Sequence, residues 1–196
     1  MRLFKSVVLL AVCTAVSGCA ANMVSSHKAE GYDGKINKLA VFVVDFQPGS
    51  ESYANGTKTE SGRPRSDLSA KMATNARELM SALRDNLPGL INQSGLQETF
   101  AVIQSSQISR LAVDDPNRKA LVIRASQIRG SCSSGGCVTR ISLKTEIYDV
   151  TLHKSVWTAE TNVGQSTIFD GPINADHVRE YWKLIYDKLR QDGLIA

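Results

Sequence analysis

Residues 138–150, VTRISLKTEIYDV, decide the fold because apolar and polar side chains alternate along them. Successive side chains of a β-strand point to opposite faces of a sheet, so the alternation predicts a strand with one buried and one wet face. One face carries Ile141, Leu143, Thr145 and Ile147, and the other carries Arg140, Ser142, Lys144 and Glu146. Residues 151–154 predict a turn, and residues 155–163 (SVWTAETNV) predict the returning strand of a hairpin.

On the N-terminal side of this strand, Cys132 and Cys137 flank a Ser-Ser-Gly-Gly run that is typical of a turn. Residues 121–129 (LVIRASQIR) predict another strand, so the two cysteines are expected to oppose each other across a second hairpin. Opposed residues in such a pair have Cα atoms about 4.5–5.5 Å apart, which is within disulfide range. This favours a structural disulfide. A redox-active pair and a metal site stay open as alternatives, although four intervening residues are not the thioredoxin-like spacing and two cysteines need further ligands.

The remaining segments predict two helices and two more strands. Residues 38–46 (KLAVFVVDF) are almost continuously apolar, which is typical of a central strand, and residues 99–104 predict a short one. Asp67 is expected to cap a helix that runs to about Leu87, where Pro88-Gly89 interrupts it; Leu90-Ile91 can add another turn, and Gly95 marks the end. Asn174 is expected to cap the last helix. The apolar stripes of the two helices are Leu68, Met72, Ala76, Leu79, Leu83 and Leu87, and Val178, Tyr181, Trp182, Ile185 and Leu189. The order predicts an α/β (α+β) fold, with a mixed or antiparallel sheet of about five strands and both helices on one face.

The N-terminal residues predict export of the protein and its attachment to a membrane. Arg2 and Lys5 precede an apolar run of 11 residues, Ser6 to Val16, which is too short to span a bilayer and fits a signal peptide. Val16-Ser17-Gly18-Cys19 resembles the lipobox of bacterial lipoproteins, with Val16 in place of the usual leucine. The resemblance implies cleavage before Cys19 and lipid on its thiol and new amine; an ordinary secretory signal with an incidental cysteine is the alternative.

We therefore expect residues 1–18 to be a signal peptide, 19–37 a lipidated and flexible tether, and 38–196 a single periplasmic domain. The part of the tether from Asn22 to Asn37 spans about 50 Å at full extension. By resemblance to the enteric sorting rule, Ala20 and Ala21 in place of an aspartate imply the periplasmic face of the outer membrane.

The stretch from Ile147 to Trp157 (IYDVTLHKSVW) resembles a recurrent hairpin of envelope proteins, in which an aspartate ends one strand and a tryptophan lies in the next. Across residues 38–192 the order of elements resembles the small α/β module of three such families. These are the curli-secretion lipoprotein, the lipoprotein activator of penicillin-binding protein, and the N-terminal domain of the Tol-system propeller protein. The turn glycine usual in that hairpin is absent here.

The charge and the sequence motifs argue against several classes of partner and of catalytic or binding site. The chain has 23 basic and 19 acidic residues, and loss of Arg2 and Lys5 leaves 21 scattered basic ones, so nothing in the charge favours nucleic acid as a partner. The sequence has no phosphate-binding loop and no nucleophile elbow, and the acidic run at Asp114-Asp115-Pro116-Asn117 lacks the glycine and distal glutamate of a calcium loop. We expect no catalytic, cofactor or metal residues.

Four other residues have two interpretations each. Asp45 and Asp149 lie near strand ends, where capping is favoured over a pair of catalytic carboxylates. Trp157 and Trp182 are expected in the core rather than on a binding platform.

These features predict a membrane-anchored, non-enzymatic interaction or assembly factor of the cell envelope. Its partners would be the membrane, through the Cys19 lipid, and an envelope protein that docks on the open sheet face or on the polar loop Gln47–Ser66. Two alternatives stay open: an auxiliary lipoprotein of a lipid or efflux transport system that binds a small apolar ligand, and an oligomeric secretion component.

Overall fold

A computed structural model describes residues 21–44, 51–53, 66–103, 119–133, 136–166 and 173–195. Seven strands and two helices follow one another along these ranges. They are β1 (Asn22–Lys28), β2 (Lys38–Val44), β3 (Glu51–Tyr53), α1 (Ser66–Gln93), β4 (Gln97–Ile103), β5 (Lys119–Ser133), β6 (Gly136–Asp149), β7 (Lys154–Ser166) and α2 (Ala175–Gln191). The fold class is confirmed as α/β.

The strands form one mixed sheet in the order β1-β7-β6-β5-β2-β4, with β3 paired to β5. The antiparallel part is the meander of β5, β6 and β7, extended by β1. The parallel part is β2, which lies between β4 and β5. Apolar residues bury both sides of β2, with Leu39, Val41 and Val43 on one side and Ala40, Phe42 and Val44 on the other. The prediction of a central strand is therefore confirmed.

Both helices pack on one sheet face, as predicted. The core between them and the sheet combines the stripe of α1 from Met72 to Leu87, the stripe of α2 and the apolar face of β6. Trp157 and Trp182 both belong to this core, with 1% and 4% of their surface exposed. The interpretation of both tryptophans as core residues is therefore confirmed.

Helix α1 continues through Pro88, where the sequence predicts an interruption. Leu87 and Ile91 on either side of the proline are fully buried in the core. Burying each side chain contributes about 1.5–3 kcal/mol, which offsets the cost of about 3 kcal/mol for a proline within a helix. The helix ends before Gly95, whose φ of 77° lies in the left-handed region. Helix α2 begins at the predicted cap, where the Asn174 side chain accepts a hydrogen bond from the Asp176 N–H.

The tether predicted for residues 19–37 is wrong from Asn22 onward, and the domain begins there rather than at residue 38. Strand β1 pairs with β7 along its length, from Asn22 opposite Asn162 to Lys28 opposite Trp157. Tyr32 and Ile36 then enter the core with 6% and 1% of their surface exposed. Pairing with the edge of β7 satisfies backbone groups that a solvated tether would leave to water.

Candidate interaction surface

On the side of the sheet away from the helices, a buried apolar cluster includes residues of β2 together with Ala120, Val122 and Tyr148. Polar side chains follow beyond this cluster along β5, β6 and β7. We call this set the open face. Its members are Arg124, Ser142, Lys144, Glu146, Thr158, Glu160 and Asn162, which the strand registers place side by side. On β6, Arg140 is exposed and Lys144 and Glu146 are half-exposed, as the alternation predicts for the wet face. The alternation predicts Ser142 on the same face, but Ser142 is only 5% exposed, so the prediction is confirmed except at Ser142.

Charges of both signs lie together at the centre of the open face. Glu146 Oε1 lies 2.7 Å from Lys144 Nζ and 3.1 Å from Arg124 Nη2, so one carboxylate is shared by two cations. Between about a fifth and two fifths of each of these side chains is exposed. Half-exposed ion pairs of this kind contribute about 0–1 kcal/mol to stability. Their charges are therefore better placed to select a partner than to hold the fold together.

A hydrogen-bonded band lies beside these charges. Ser142 donates from its hydroxyl to Asn162 Oδ1 at 2.7 Å, across the β6–β7 pair. Ser126 is the extra residue of a β-bulge in β5, and its hydroxyl donates to the Ser142 carbonyl at 3.2 Å. These contacts fix the side chains and the strand curvature, so the open face is a preorganised surface.

Asp149 ends β6 and caps the turn that follows. Its Oδ1 accepts hydrogen bonds from the Thr151 and Leu152 N–H groups, at 3.0 and 3.1 Å. The turn then closes through His153, whose φ of 50° is left-handed. The capping interpretation of Asp149 is confirmed. Asp45, the other member of the proposed carboxylate pair, lies outside the described residues.

The second oxygen of Asp149 joins two distant segments. Oδ2 lies 2.7 Å from Lys119 Nζ and accepts a hydrogen bond from the Tyr32 hydroxyl at 3.0 Å. Burial alone would raise the pKa of Asp149, but hydrogen bonds from Lys119, the Leu152 N–H and Tyr32 together hold it below the ordinary value. Burial and the adjacent carboxylate raise the pKa of Tyr32 to about 12. The cluster therefore locks a charged carboxylate and a neutral phenol together.

Asp192 plays a similar part at the end of α2. It accepts a hydrogen bond from the Trp157 indole at 2.8 Å on one oxygen and lies 2.8 Å from Lys188 Nζ on the other. Burial alone would raise the pKa of Asp192. The hydrogen bonds from Lys188 and Trp157, together with the positive charge of the nearby Lys28, hold this pKa below the ordinary value. These contacts join α2 to β7 and explain why Trp157 is buried with its N–H satisfied.

Of the three cysteines predicted as sites, the structure describes the backbone of two. Cys19 lies outside the described residues, so its lipidation stays a prediction. Cys132 and Cys137 are direct partners in the β5–β6 register. The backbone therefore brings them together as the turn sequence predicts, and their bond stays a prediction.

Other predicted features lie partly or wholly beyond the described ranges. The acidic run at residues 114–117 does so entirely, and of the loop Gln47–Ser66 only strand β3 and the first residue of α1 are described. Within the described ranges, no three His, Cys, Asp or Glu side chains cluster as metal ligands would. No helix in these ranges is long and apolar enough to cross a membrane.

Two features of this surface are missed by the sequence reasoning. The first is the cluster around Asp149, because Tyr32 falls in the segment interpreted as a tether. The second is a pair of exposed arginines, Arg129 on β5 directly opposite Arg140 on β6. The sequence does contain the information needed to find the arginine pair. If Cys132 opposes Cys137, counting three residues away from the turn along each strand places Arg129 opposite Arg140.

Comparisons with known proteins give a likeness in shape only. No protein-family model matches the chain, and no curated protein matches it in sequence. The PelC dodecamer from Paraburkholderia phytofirmans is 15% identical with a TM-score of 0.39, over 84% of this chain and 94% of that one. Lipoprotein GNA1162 from Neisseria meningitidis is 10% identical with a TM-score of 0.44, over 79% and 98%. A neuraminyllactose-binding hemagglutinin homologue from Helicobacter pylori is 8% identical with a TM-score of 0.41, over 85% and 94%. None of these three is a family that the Ile147–Trp157 hairpin resembles.

Proposed function

We propose that this protein is a lipoprotein of the bacterial envelope that docks a protein partner on its open face and catalyses no reaction. The observation that carries the proposal is the placement of both helices on one side of the sheet. That placement leaves the charges of Arg124, Lys144 and Glu146 on the other side, on strands that the β5–β7 meander holds in fixed register. Interfaces that form and dissociate are about as polar as the rest of a protein surface, and complementary charges select their partners.

The anchor in this proposal is Cys19, at the end of the signal-like segment. Only two residues separate it from Asn22, the first residue of β1. Lipid on both the thiol and the amine would hold the chain stably, whereas a single acyl chain binds only marginally. The proposed location is the periplasmic face of the outer membrane, supported by the residues that follow Cys19.

The open face is suited to a protein partner by its rigidity. Its side chains are already fixed by the Ser142–Asn162 hydrogen bond and the shared Glu146 carboxylate. A partner that binds there would pay little for ordering them, which is the main cost that preorganised surfaces avoid.

Site-specific photo-crosslinking in intact cells tests this proposal. A photoreactive residue at Lys144 samples the centre of the open face, and one at Lys183 samples the exposed side of α2. We expect the first position to give one discrete protein adduct and the second to give none. Equal adducts from both positions, or adducts from Lys183 alone, would contradict docking on the open face.

Charge reversal supplies the second measurement. Lys144→Glu removes one of the two cations at Glu146, so we expect it to reduce the adduct formed from a neighbouring photoreactive residue at Thr158. Lys183→Glu makes the same change in charge on α2 and should leave the adduct unchanged. Equal loss in both variants would point to net charge rather than to this surface.

A further inference from the structure

The β5–β6 hairpin extends well beyond the start of β1. Asn22 lies opposite Asn162, which in turn lies opposite Ser142 on β6. From Ser142 the paired strands continue to Gly136 opposite Ser133. At about 3.4 Å per residue, this end of the hairpin projects roughly 20 Å past the level of Asn22.

Strand β1 begins on the side of the sheet from which this hairpin end projects. Strand β1 runs away from the hairpin end, because Lys28 lies opposite Trp157, toward the other end of β7. The Ala21 N–H contacts Glu180 Oε2 on α2 at 3.4 Å, so the described chain is held against the domain up to this residue. Cys19 is three residues from Asn22 and reaches at most about 10 Å from it.

The projecting hairpin carries an unneutralised pair of cations. Arg129 and Arg140 are exposed and directly opposite each other, about 7 Å past the level of Asn22. Like charges at opposed positions destabilise a strand pair. Their outer partners in the register are Ser52 of β3 and Gly164 of β7, and Gln127 and Ser142 come next on the same side of the sheet. None of these four residues carries a negative charge. In the described part of the chain, neither arginine forms an ion pair with a carboxylate.

An exposed apolar side chain follows the arginines toward the hairpin end. Val138 keeps 40% of its surface exposed and lies about 14 Å past the level of Asn22. The order along the strand is therefore two cations at the level that Cys19 can reach, then an apolar side chain beyond it.

From this order we infer that the β5–β6 hairpin end contacts the membrane surface, with Arg129 and Arg140 on the phosphates of anionic lipids and Val138 inserted below them. The inference rests on the proposed function, because the Cys19 lipid is what brings the domain to a membrane. The residues that make the contact belong to the hairpin alone. Guanidinium groups bind phosphate with paired N–H donors, and an anionic surface relieves the repulsion between the two arginines. Each cation near an anionic membrane strengthens binding about five-fold, so the pair contributes roughly thirty-fold.

The first test measures depth in the lipidated protein. In vesicles of brominated phosphatidylethanolamine and phosphatidylglycerol, Val138→Trp should be quenched several-fold more strongly than Leu152→Trp. Leu152 is the matched control because it is also exposed, at 50%, and lies in the turn at the opposite end of β6. Trp157 and Trp182 are buried and common to both variants, so their emission subtracts out. Equal quenching of the two variants would overturn the inference.

The second test separates the hairpin from the anchor. The chain from residue 19 with Cys19→Ser carries no lipid and should still bind vesicles that contain phosphatidylglycerol at low salt. Arg129→Gln with Arg140→Gln should weaken that binding about thirty-fold, whereas Lys154→Gln with Arg190→Gln, which removes two exposed cations elsewhere, should not. Equal effects of the two double variants would refute the hairpin contact. This holds even if mass spectrometry of the protein with Cys19 intact finds the lipid there. Absence of that lipid would refute the anchor and leave the vesicle result to decide the hairpin.

Discussion

Replacing Tyr32 with phenylalanine tests one contact that holds the segment before β2 on the domain. The Tyr32 side chain is 6% exposed, and its hydroxyl donates to Asp149 Oδ2 at 3.0 Å, across 117 residues of sequence. Tyr32→Phe removes this hydroxyl and keeps the ring in the core. The change therefore isolates one hydrogen bond between the segment and the end of β6.

The expected cost follows from the partners that remain. A hydrogen bond to a charged group contributes about 1.5–3 kcal/mol. Asp149 keeps Lys119 and two backbone N–H donors in the variant, so we expect the lower part of this range, about 1.5–2 kcal/mol. For a domain of this size, 1 kcal/mol shifts Tm by about 2–4 °C, which gives a decrease of about 3–8 °C.

The difference between the two proteins should also depend on pH. The folded-state pKa of Asp149 is lowered, so its contribution is complete above the unfolded value of about 3.9 and is lost as the pH falls through the folded pKa. The pKa of Tyr32 is raised from 10.0 to about 12, so the contribution of Tyr32 is present below pH 10 and is lost as the pH rises through 12. The destabilisation by Tyr32→Phe should therefore be largest near neutral pH and should shrink in strong acid.

Thermal unfolding followed by circular dichroism, at pH 7 and at pH 3, measures both effects. Tyr148→Phe is the matched control, because Tyr148 is half-buried and its hydroxyl has no hydrogen-bond partner among the described residues. We expect the control to stay within about 0.5 kcal/mol of the parent. If the two variants melt together, the Tyr32–Asp149 hydrogen bond contributes nothing to stability, and the reasoning from the 3.0 Å contact is refuted.

Three further predictions concern the cysteines and Asp192. Replacing both Cys132 and Cys137 with serine should lower the free energy of unfolding by about 2 kcal/mol, and two free thiols in the mass spectrum of the unreduced protein would contradict the disulfide. Cys19→Ala should abolish palmitate labelling and release the protein from membranes, so a labelled variant that still fractionates with membranes would place the anchor elsewhere. Asp192→Ala should cost about 1–3 kcal/mol in thermal unfolding because it leaves the buried Trp157 N–H unpaired, and an unchanged Tm would show that the 2.8 Å contact contributes nothing.

The meander could be predicted from sequence because its burial is one-sided. On β6, Ile141, Leu143 and Ile147 are buried against the helices, while Arg140 on the other face is exposed. A strand in that situation has a strict period of two residues, which the amino-acid order preserves. The stripe of α2 is predictable for the same reason, with a period of 3.6.

Strand β1 could not be predicted in this way. It lies at the sheet edge, its residues are half-buried or exposed, and a register shift between Met23 and Ser25 breaks the alternation. What makes it a strand is the hydrogen-bonding edge of β7, which lies more than 120 residues away in the sequence. Propensity and periodicity describe local segments, and tertiary pairing overrides them here.

The register of the β5–β6 hairpin is predictable only in part. If Cys132 lies opposite Cys137, every strand pair from the turn as far as Gln127 opposite Ser142 follows by counting. Beyond them, the bulge at Ser126 shifts the pairing by one residue, so that Ala125 lies opposite Leu143. A bulge adds a residue without changing the alternation on the partner strand, so nothing in residues 138–150 reveals it.

The folding of β1 changes what the proposed anchor implies. A tether from residue 22 to 37 would let the domain move about 50 Å from the membrane, and its surfaces would be equivalent with respect to the bilayer. With β1 paired to β7 from Asn22, the distance from Cys19 to the first paired residue is at most about 10 Å. In the proposed arrangement, the end of the sheet that holds Arg129 and Arg140 would face the bilayer, and the Asp149 turn would face away. A partner that docks on the open face would meet a surface whose orientation to the membrane is already set, which reduces the orientational freedom lost on binding.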